Sequence, residues 1–221
     1  MPKYQIKVVS KLVGCFLFVL FATKAHSQEN EWNTWTSLEL SKDITRNFSV
    51  YISPEVRFTD EFTLDEYFME AGLEYELLKF LEIGGNYRFL VNERETKSSE
   101  YYHRIAFDLK GKFEINRFDF QVRTRYTNYS DLDADDDTND NYFRYRLKVA
   151  YDIPKSKITP HVGVELFHQL EDQEINRIRY LAGVEYKFNK HHRMELGYLL
   201  QDYLKKSYHK NVVSLEYKID F

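Results

Sequence analysis

Three pairs of arginines stand two residues apart: Arg123 with Arg125, Arg144 with Arg146, and Arg177 with Arg179. Apolar residues fill the alternate positions: Phe120, Val122 and Thr124 around the first pair, Phe143, Tyr145 and Leu147 around the second, Ile178 and Tyr180 around the third. A period of two is that of a strand whose side chains alternate between faces, so each arginine pair shares one face and the greasy residues take the other. The same parity gathers a charged face along the chain. Its basic members include Arg57, Arg88, Arg104, Lys110, Lys148, Lys187, Arg193 and Lys218 beside the three pairs; its acidic members include Glu39, Glu55, Glu66, Glu70, Glu74, Glu76, Glu82, Asp108, Asp119, Glu165, Glu185, Glu195, Glu216 and Asp220.

Two chemistries fit that face. The arginine fork binds carboxylates bidentately, so the charges can cross-link into a ladder that fills an interior. Alternatively, arginines on 81–152 and 176–188 line a watery path and attract anions. The basic and acidic sets are equal in number, which favours the ladder. Acids nevertheless gather on 66–77 and arginines on 118–152, which leaves room for a field across a small pore. On either reading Arg144→Ala or Arg146→Ala should weaken the fold more than Lys206→Ala.

Other constellations are weaker. Asp131 to Asn141 (DLDADDDTNDN) offers oxygen ligands of the kind calcium prefers, but without the glycine of an EF-hand loop it reads as a solvated external loop. A hydrolytic site would draw on His103, His161, His168 or His209 with Ser130, Ser207 or Ser214. Parity sends His103 and His168 to the apolar face, and no serine has an activating context. His191-His192 reads as a solvated turn rather than a metal site, and Gly84-Gly85 as a bulge or tight packing within a strand. No catalytic residue, metal site or cofactor is assigned.

These side chains need a frame of strands. Alternating runs occupy 32–42, 48–59, 66–77, 81–92, 101–112, 118–130, 141–152, 159–170, 176–188, 192–204 and 209–221. Connections with a long, acidic character (60–65, 93–100, 131–140, 171–175) alternate with tighter ones (43–47, 78–80, 113–117, 153–158, 189–191). The pattern predicts an all-β, transmembrane, up-and-down antiparallel barrel of 10–12 strands, with long loops outside and tight turns in the periplasm. Eleven runs are counted although such barrels favour even numbers, and 32–42 has the least apolar lipid face. Aromatics near the strand ends suggest two interfacial girdles: Phe48, Phe80, Phe113, Phe118, Phe188 and Phe221 at the tight turns, and Phe58, Tyr129, Tyr142, Phe167 and Tyr203 toward the long loops.

Aromatics make up 17% of the 221 residues, yet mean hydropathy is only −0.58. Membrane helices do not produce that combination; a barrel does, because only every second residue meets lipid. At the amino end, Lys3, Lys7 and Lys11 precede an apolar run from Leu12 to Ala22 and the small-x-small site Ala25-His26-Ser27, which reads as a secretory leader over 1–27. Leu12-Val13-Gly14-Cys15 is a poor lipoprotein box, because its apolar stretch follows the cysteine. Cleavage after Ser27 leaves 28–221 as the barrel, without cysteine. It also removes four lysines and no acid, so the formal charge of −4 becomes −8. An acidic chain of this kind is not a nucleic-acid binder. The last run, Val213 to Phe221, alternates without a break and ends on an aromatic residue. It resembles the signal that outer-membrane assembly machinery reads, with Tyr217, Ile219 and Phe221 as its apolar positions.

Seven segments together resemble the family called domain of unknown function 2490: Trp32-x-x-Trp35, Gly85-x-Tyr87-Arg88, Tyr102-His103-Arg104, Phe143-Arg144-Tyr145-Arg146-Leu147, Pro160-x-Val162-x-x-Glu165-Leu166-Phe167, Arg177-x-Arg179-Tyr180 and His191-x-x-x-Glu195-Leu196-x-Tyr198. The resemblance spans nearly all of 28–221. It implies a barrel in the outer membrane of a Gram-negative cell, with membrane lipids, lipopolysaccharide and the barrel-assembly machinery as partners, and it implies no reaction. The expected role is a narrow channel or charge-filled barrel in envelope permeability or integrity. The alternatives are a lipid-modifying enzyme and a scaffold that binds through external loops. Oligomeric state is left open by the sequence.

Overall fold

In the computed structural model, residues 29–59, 61–93, 98–131, 139–205 and 208–221 are described. The leader expected over 1–27 lies outside them, as do Lys206, Ser207 and most of the acidic 131–141 loop. Among the described residues no helix is long and apolar enough to cross a membrane. The regular elements are strands: β1 (Glu29–Asp43), β2 (Phe48–Phe58), β3 (Leu64–Leu78), β4 (Leu81–Asn92), β5 (Glu100–Ile115), β6 (Phe118–Asp131), β7 (Asn139–Tyr151), β8 (Ile158–Gln169), β9 (Glu174–Lys187), β10 (His192–Tyr203) and β11 (Tyr208–Asp220). Each neighbour pair is antiparallel until the ends meet, and there β1 pairs with β11 in parallel.

That parallel seam resolves the odd count. In an up-and-down wall of eleven strands the first and last run the same way, so closure requires a parallel ladder. The seam runs unbroken from Glu29 opposite Tyr208 to Ser41 opposite Asp220. The Phe221 amide then donates to the Ser41 carbonyl at 2.9 Å. Strand β1 is therefore a full member of the wall, and no edge is left to aggregate.

Strict alternation fixes what faces where. Leu73, Tyr75, Phe107, Leu109, Val122, Leu147, Val184, Leu196, Val213 and Leu215 are all exposed on the outer surface. A water-soluble protein does not present so continuous an apolar band; a wall facing lipid does. At the tight-turn end an outer aromatic girdle is present. Phe113 stacks on Phe120 at 5.1 Å, Phe118 lies against Tyr151 at 5.0 Å, and Phe188 meets Tyr186 at 4.8 Å and Tyr217 at 6.2 Å. At the other end the girdle differs from expectation. Tyr142, Phe167 and Tyr203 line the interior, because parity places them beside Arg144, Glu165 and Gln201. The outward rings at that end include Tyr126 with Phe143, Phe89 with Tyr101, and Trp32 with Tyr198.

Loop length separates the two ends less cleanly than expected. The connection 152–157, at the tight-turn end, is longer than 170–173 or 204–207 at the other. The short 116–117 connection holds Asn116 at φ 57°, a left-handed conformation that asparagine tolerates.

Inward glycines make room for side chains that enter the lumen. A Cβ on Gly72 would lie 2.4 Å from the Tyr51 ring, and one on Gly183 2.7 Å from the His161 imidazole. The pairing around Gly84 and Gly85 is regular, so these residues mark close wall packing and not a bulge. At Gly163 a Cβ would meet the Leu147 carbonyl oxygen at 2.7 Å, and backbone cannot swing aside. Gly163→Ala is expected to lower stability by about 1–3 kcal/mol in detergent unfolding. Gly111→Ala, where a Cβ meets nothing nearer than 4.0 Å, should be close to neutral.

Candidate functional site: an arginine-lined lumen

Inside the wall lies a cavity of about 550 Å³. Its lining comes mainly from the strand halves nearer the 59–63 and 93–99 connections, including Arg57 of β2, Arg125 of β6, Arg144 of β7 and Arg177 of β9, and extends to Glu195 of β10 and Glu216 of β11 toward the tight turns. Arg88, Arg104, Arg123, Arg125, Arg144, Arg146, Arg177 and Arg179 all line it, brought together from β4, β5, β6, β7 and β9. Of the four acids singled out from the sequence, Glu165 lines the cavity directly. Glu70 sits behind the lining, bonded to Arg104. Glu74 and Glu185 lie toward the tight-turn end, where Glu74 is bonded to Lys110 and Glu185 is 3.8 Å from Arg193.

Three carboxylates organise the arginines. Glu165, 1% exposed, receives Arg123 at 2.5 Å, Arg144 at 3.0 Å and Arg179 at 3.4 Å. It thus ties β6, β7 and β9 to β8. Glu70 receives Arg104 at 2.6 Å, Arg88 at 2.8 Å and the Tyr51 hydroxyl at 2.9 Å. Asp108 takes both prongs of Arg125, at 2.7 and 2.6 Å. Shared acceptors spread the ordering entropy of long side chains over several bonds, and fork-to-carboxylate geometry is the strong form of such a contact.

Attention to charged residues alone passes over the aromatic platforms. The Arg57 guanidinium lies 3.9 Å above Trp35 and Arg88 lies 3.4 Å above Phe68. Phe167 is flanked by Arg144 at 4.6 Å, Arg177 at 4.8 Å and Arg179 at 5.0 Å. Desolvated cation–π contacts of this kind hold guanidiniums in place without neutralising them. Strand parity alone would have turned Trp35, Phe68 and Phe167 inward.

The tight-turn half of the lumen is differently built. Lys110 bonds Glu82 at 2.8 Å, Lys148 bonds Glu195 at 3.3 Å, Lys218 bonds Glu216 at 3.1 Å, and Arg193 bonds Asp220 at 3.0 Å. There cations and acids pair off. In the cavity the match is uneven: nine arginines and Lys210 line it, against seven carboxylates among the described residues that pair with them, Glu31, Glu55, Asp65, Glu66, Glu70, Asp108 and Glu165, three more positive charges than negative. The even balance read over the whole lumen is thus uneven along its axis.

The two arginines Arg144 and Arg146 differ in consequence. Arg144 holds Glu165, whereas Arg146 reaches only the neutral Gln121 side chain at 3.2 Å. Arg144→Ala should cost about 1–3 kcal/mol, while Arg146→Ala should be neutral or stabilising because it relieves repulsion. Urea titration in detergent distinguishes them; an equal loss would count against the pairing scheme.

Among the described side chains, which do not include those of Ser130 and Ser207, the histidine candidates do not assemble a hydrolytic site. His103 packs on Tyr87 and His168 on Tyr145, both on the outer face. His161 points inward, 3.3 Å from Glu195, and His209 lies 3.1 Å from Asp202. Ser214 lines the cavity, and no hydrogen bond joins it to any of the four. Among the described residues no three His, Cys, Asp or Glu side chains are grouped to hold a metal ion. Tyr217 and Phe221 lie at the tight-turn rim, where Tyr217 is 3.0 Å from the His192 ring nitrogen and Phe221 is exposed.

An eleven-stranded closed wall, apolar outside and ionic within, defines a β-barrel of the membrane-embedded kind. The chain belongs to the family described as protein of unknown function, DUF2490, whose sequence model matches residues 32–211. No curated protein matches it. Nine solved chains match, two of them as follows. One is the KdgM porin, at 13% identity and a TM-score of 0.45 over 82% of this chain and 86% of the porin. The other is the siderophore receptor PirA from Pseudomonas aeruginosa, at 13% identity and a TM-score of 0.29 over 73% of this chain and 32% of the receptor.

Proposed function

We propose that the chain is exported, loses residues 1–27, and closes in the outer membrane of a Gram-negative cell as a barrel whose narrow, charge-lined lumen serves envelope permeability. The observation that carries this reading is the cavity of about 550 Å³ within a closed wall, lined by ionic side chains. The apolar outer band supports the location. Lipid and lipopolysaccharide are then its surroundings, and the barrel-assembly machinery reads Tyr217, Ile219 and Phe221. Purified protein in planar bilayers should show discrete conductance steps. Silence from protein that is β-rich by circular dichroism and heat-modifiable on gels would overturn the passage.

One feature favours a second reading, a barrel cross-linked for envelope integrity. Glu165 and Glu70 each bind side chains from three other strands, as a filled interior would require. Bilayer silence together with envelope leakage on loss of the protein would support it.

A further inference from the structure

We infer that the arginine-rich half of the lumen is a binding site for a dissolved multivalent oxyanion, one carrying several carboxylate, sulfate or phosphate oxygens. The inference deepens the proposed function and rests on it for a lumen that solutes can enter.

Ten cations line the cavity, nine arginines and Lys210, three of the arginines no more than 7% exposed. Among the described residues seven carboxylates pair with them: Glu55, Glu66 and Glu165 in the lining, and Glu31, Asp65, Glu70 and Asp108 behind it. Three positive charges are left over in a wall that is dry on its outer side. Uncompensated charge in such surroundings is costly.

The surplus has an address. Arg146 has only a neutral amide acceptor, from Gln121. Arg177 lies over the Phe167 and Tyr203 rings at 4.8 and 4.9 Å. Neither has a carboxylate within 4.0 Å among the described residues, and both line the cavity. The remaining polar deficit has the same sign. Buried groups of the lining without a hydrogen-bond partner are the Trp35 indole nitrogen, the Nε of Arg104, Arg123, Arg144, Arg146 and Arg177, and the Thr127 hydroxyl. All but the hydroxyl can only donate, so what the site chiefly lacks is acceptors.

Size and access narrow the ligand. A space of about 550 Å³ falls in the range of small-molecule sites, roughly 300–1,000 Å³. Guanidinium forks match planar carboxylates and phosphates bidentately, and a multivalent anion offsets more of the surplus than chloride does. The wall is hydrogen-bonded all the way round, so a lipid headgroup cannot reach the arginines sideways and the ligand must enter along the axis.

Inorganic pyrophosphate is a suitable probe. Calorimetric titration into the purified barrel in uncharged detergent should give saturable binding that weakens as salt rises. Arg146→Gln with Arg177→Gln should lower the affinity about tenfold or more, while the unfolding midpoint without pyrophosphate stays level or rises, because neither arginine holds a carboxylate. Lys155→Gln with Lys190→Gln, which removes two exposed cations from the tight-turn end, should leave binding unchanged. Absence of saturable binding by folded protein, unaltered binding by the arginine variant, or an equal loss from the lysine variant would each overturn the site. Vesicles bearing phosphorylated lipid should not displace pyrophosphate; displacement would assign the arginines to a headgroup and overturn the dissolved-anion ligand. Because the titration needs no membrane, binding without conductance would refute the passage alone, and conductance without binding or block by pyrophosphate would refute this site alone.

Discussion

Glu165→Gln should lower the unfolding free energy of the barrel by about 3–5 kcal/mol, the usual consequence of removing one partner from a buried ionic group. Glu165 is the most buried charged side chain among the described residues at 1% exposure, and three arginines converge on it. Glutamine keeps the volume and one carbonyl acceptor but removes the charge. Arg123, Arg144 and Arg179 are then left in a wall that already holds too many cations. Their mutual repulsion is no longer offset, and the four strands that Glu165 ties together lose their shared anchor. Urea unfolding in detergent, followed by tryptophan fluorescence, measures the loss. Glu114→Gln, on an exposed residue, is the control and should stay within about 0.5 kcal/mol. Similar midpoints for the two variants would refute the three-armed junction.

Oxidised Thr36→Cys/Leu215→Cys protein should gain about 5 kcal/mol, because the bond closes a loop of nearly the whole chain and restricts the unfolded state accordingly. Thr36 and Leu215 are direct partners in the parallel ladder. Both are exposed on the outer surface, so the change leaves the ionic lumen intact. A gel run with and without reductant reports formation of the bond, and heat modifiability reports the gain. The pair Leu196→Cys/Leu215→Cys, neighbours in the antiparallel β10–β11 ladder, serves as the positive control. If only the control cross-links, β1 does not close the wall, and an eleven-stranded barrel with a parallel seam is wrong.

The strands themselves were legible because a barrel strand has the simplest of sequence periods. The run Phe143 to Tyr151 alternates so regularly that its outward and inward faces can be assigned by parity alone, and β7 carries them so. The same rule applied to Tyr142, Phe167 and Tyr203 would have turned them inward; judging them by nearness to a strand end placed them in a girdle instead. The eleventh strand was countable but its role was not. The weakly apolar outer face of 32–42 leaves its place open, whereas thirteen consecutive parallel pairings with β11 hold it in the wall regardless of what its outer side chains contribute.

By itself the sequence determined the period, the two faces, a range of ten to twelve strands and the identity of the charged residues within, because each follows from local alternation along one strand. Only the tertiary structure decided which charges share a level, and therefore that Glu165 serves three arginines while Arg146 and Arg177 serve none. A level in a barrel is set by the stagger between neighbouring strands, and stagger depends on turns, register and the closing seam. A count over the whole lumen sums along the axis, and equal totals conceal a surplus at one end.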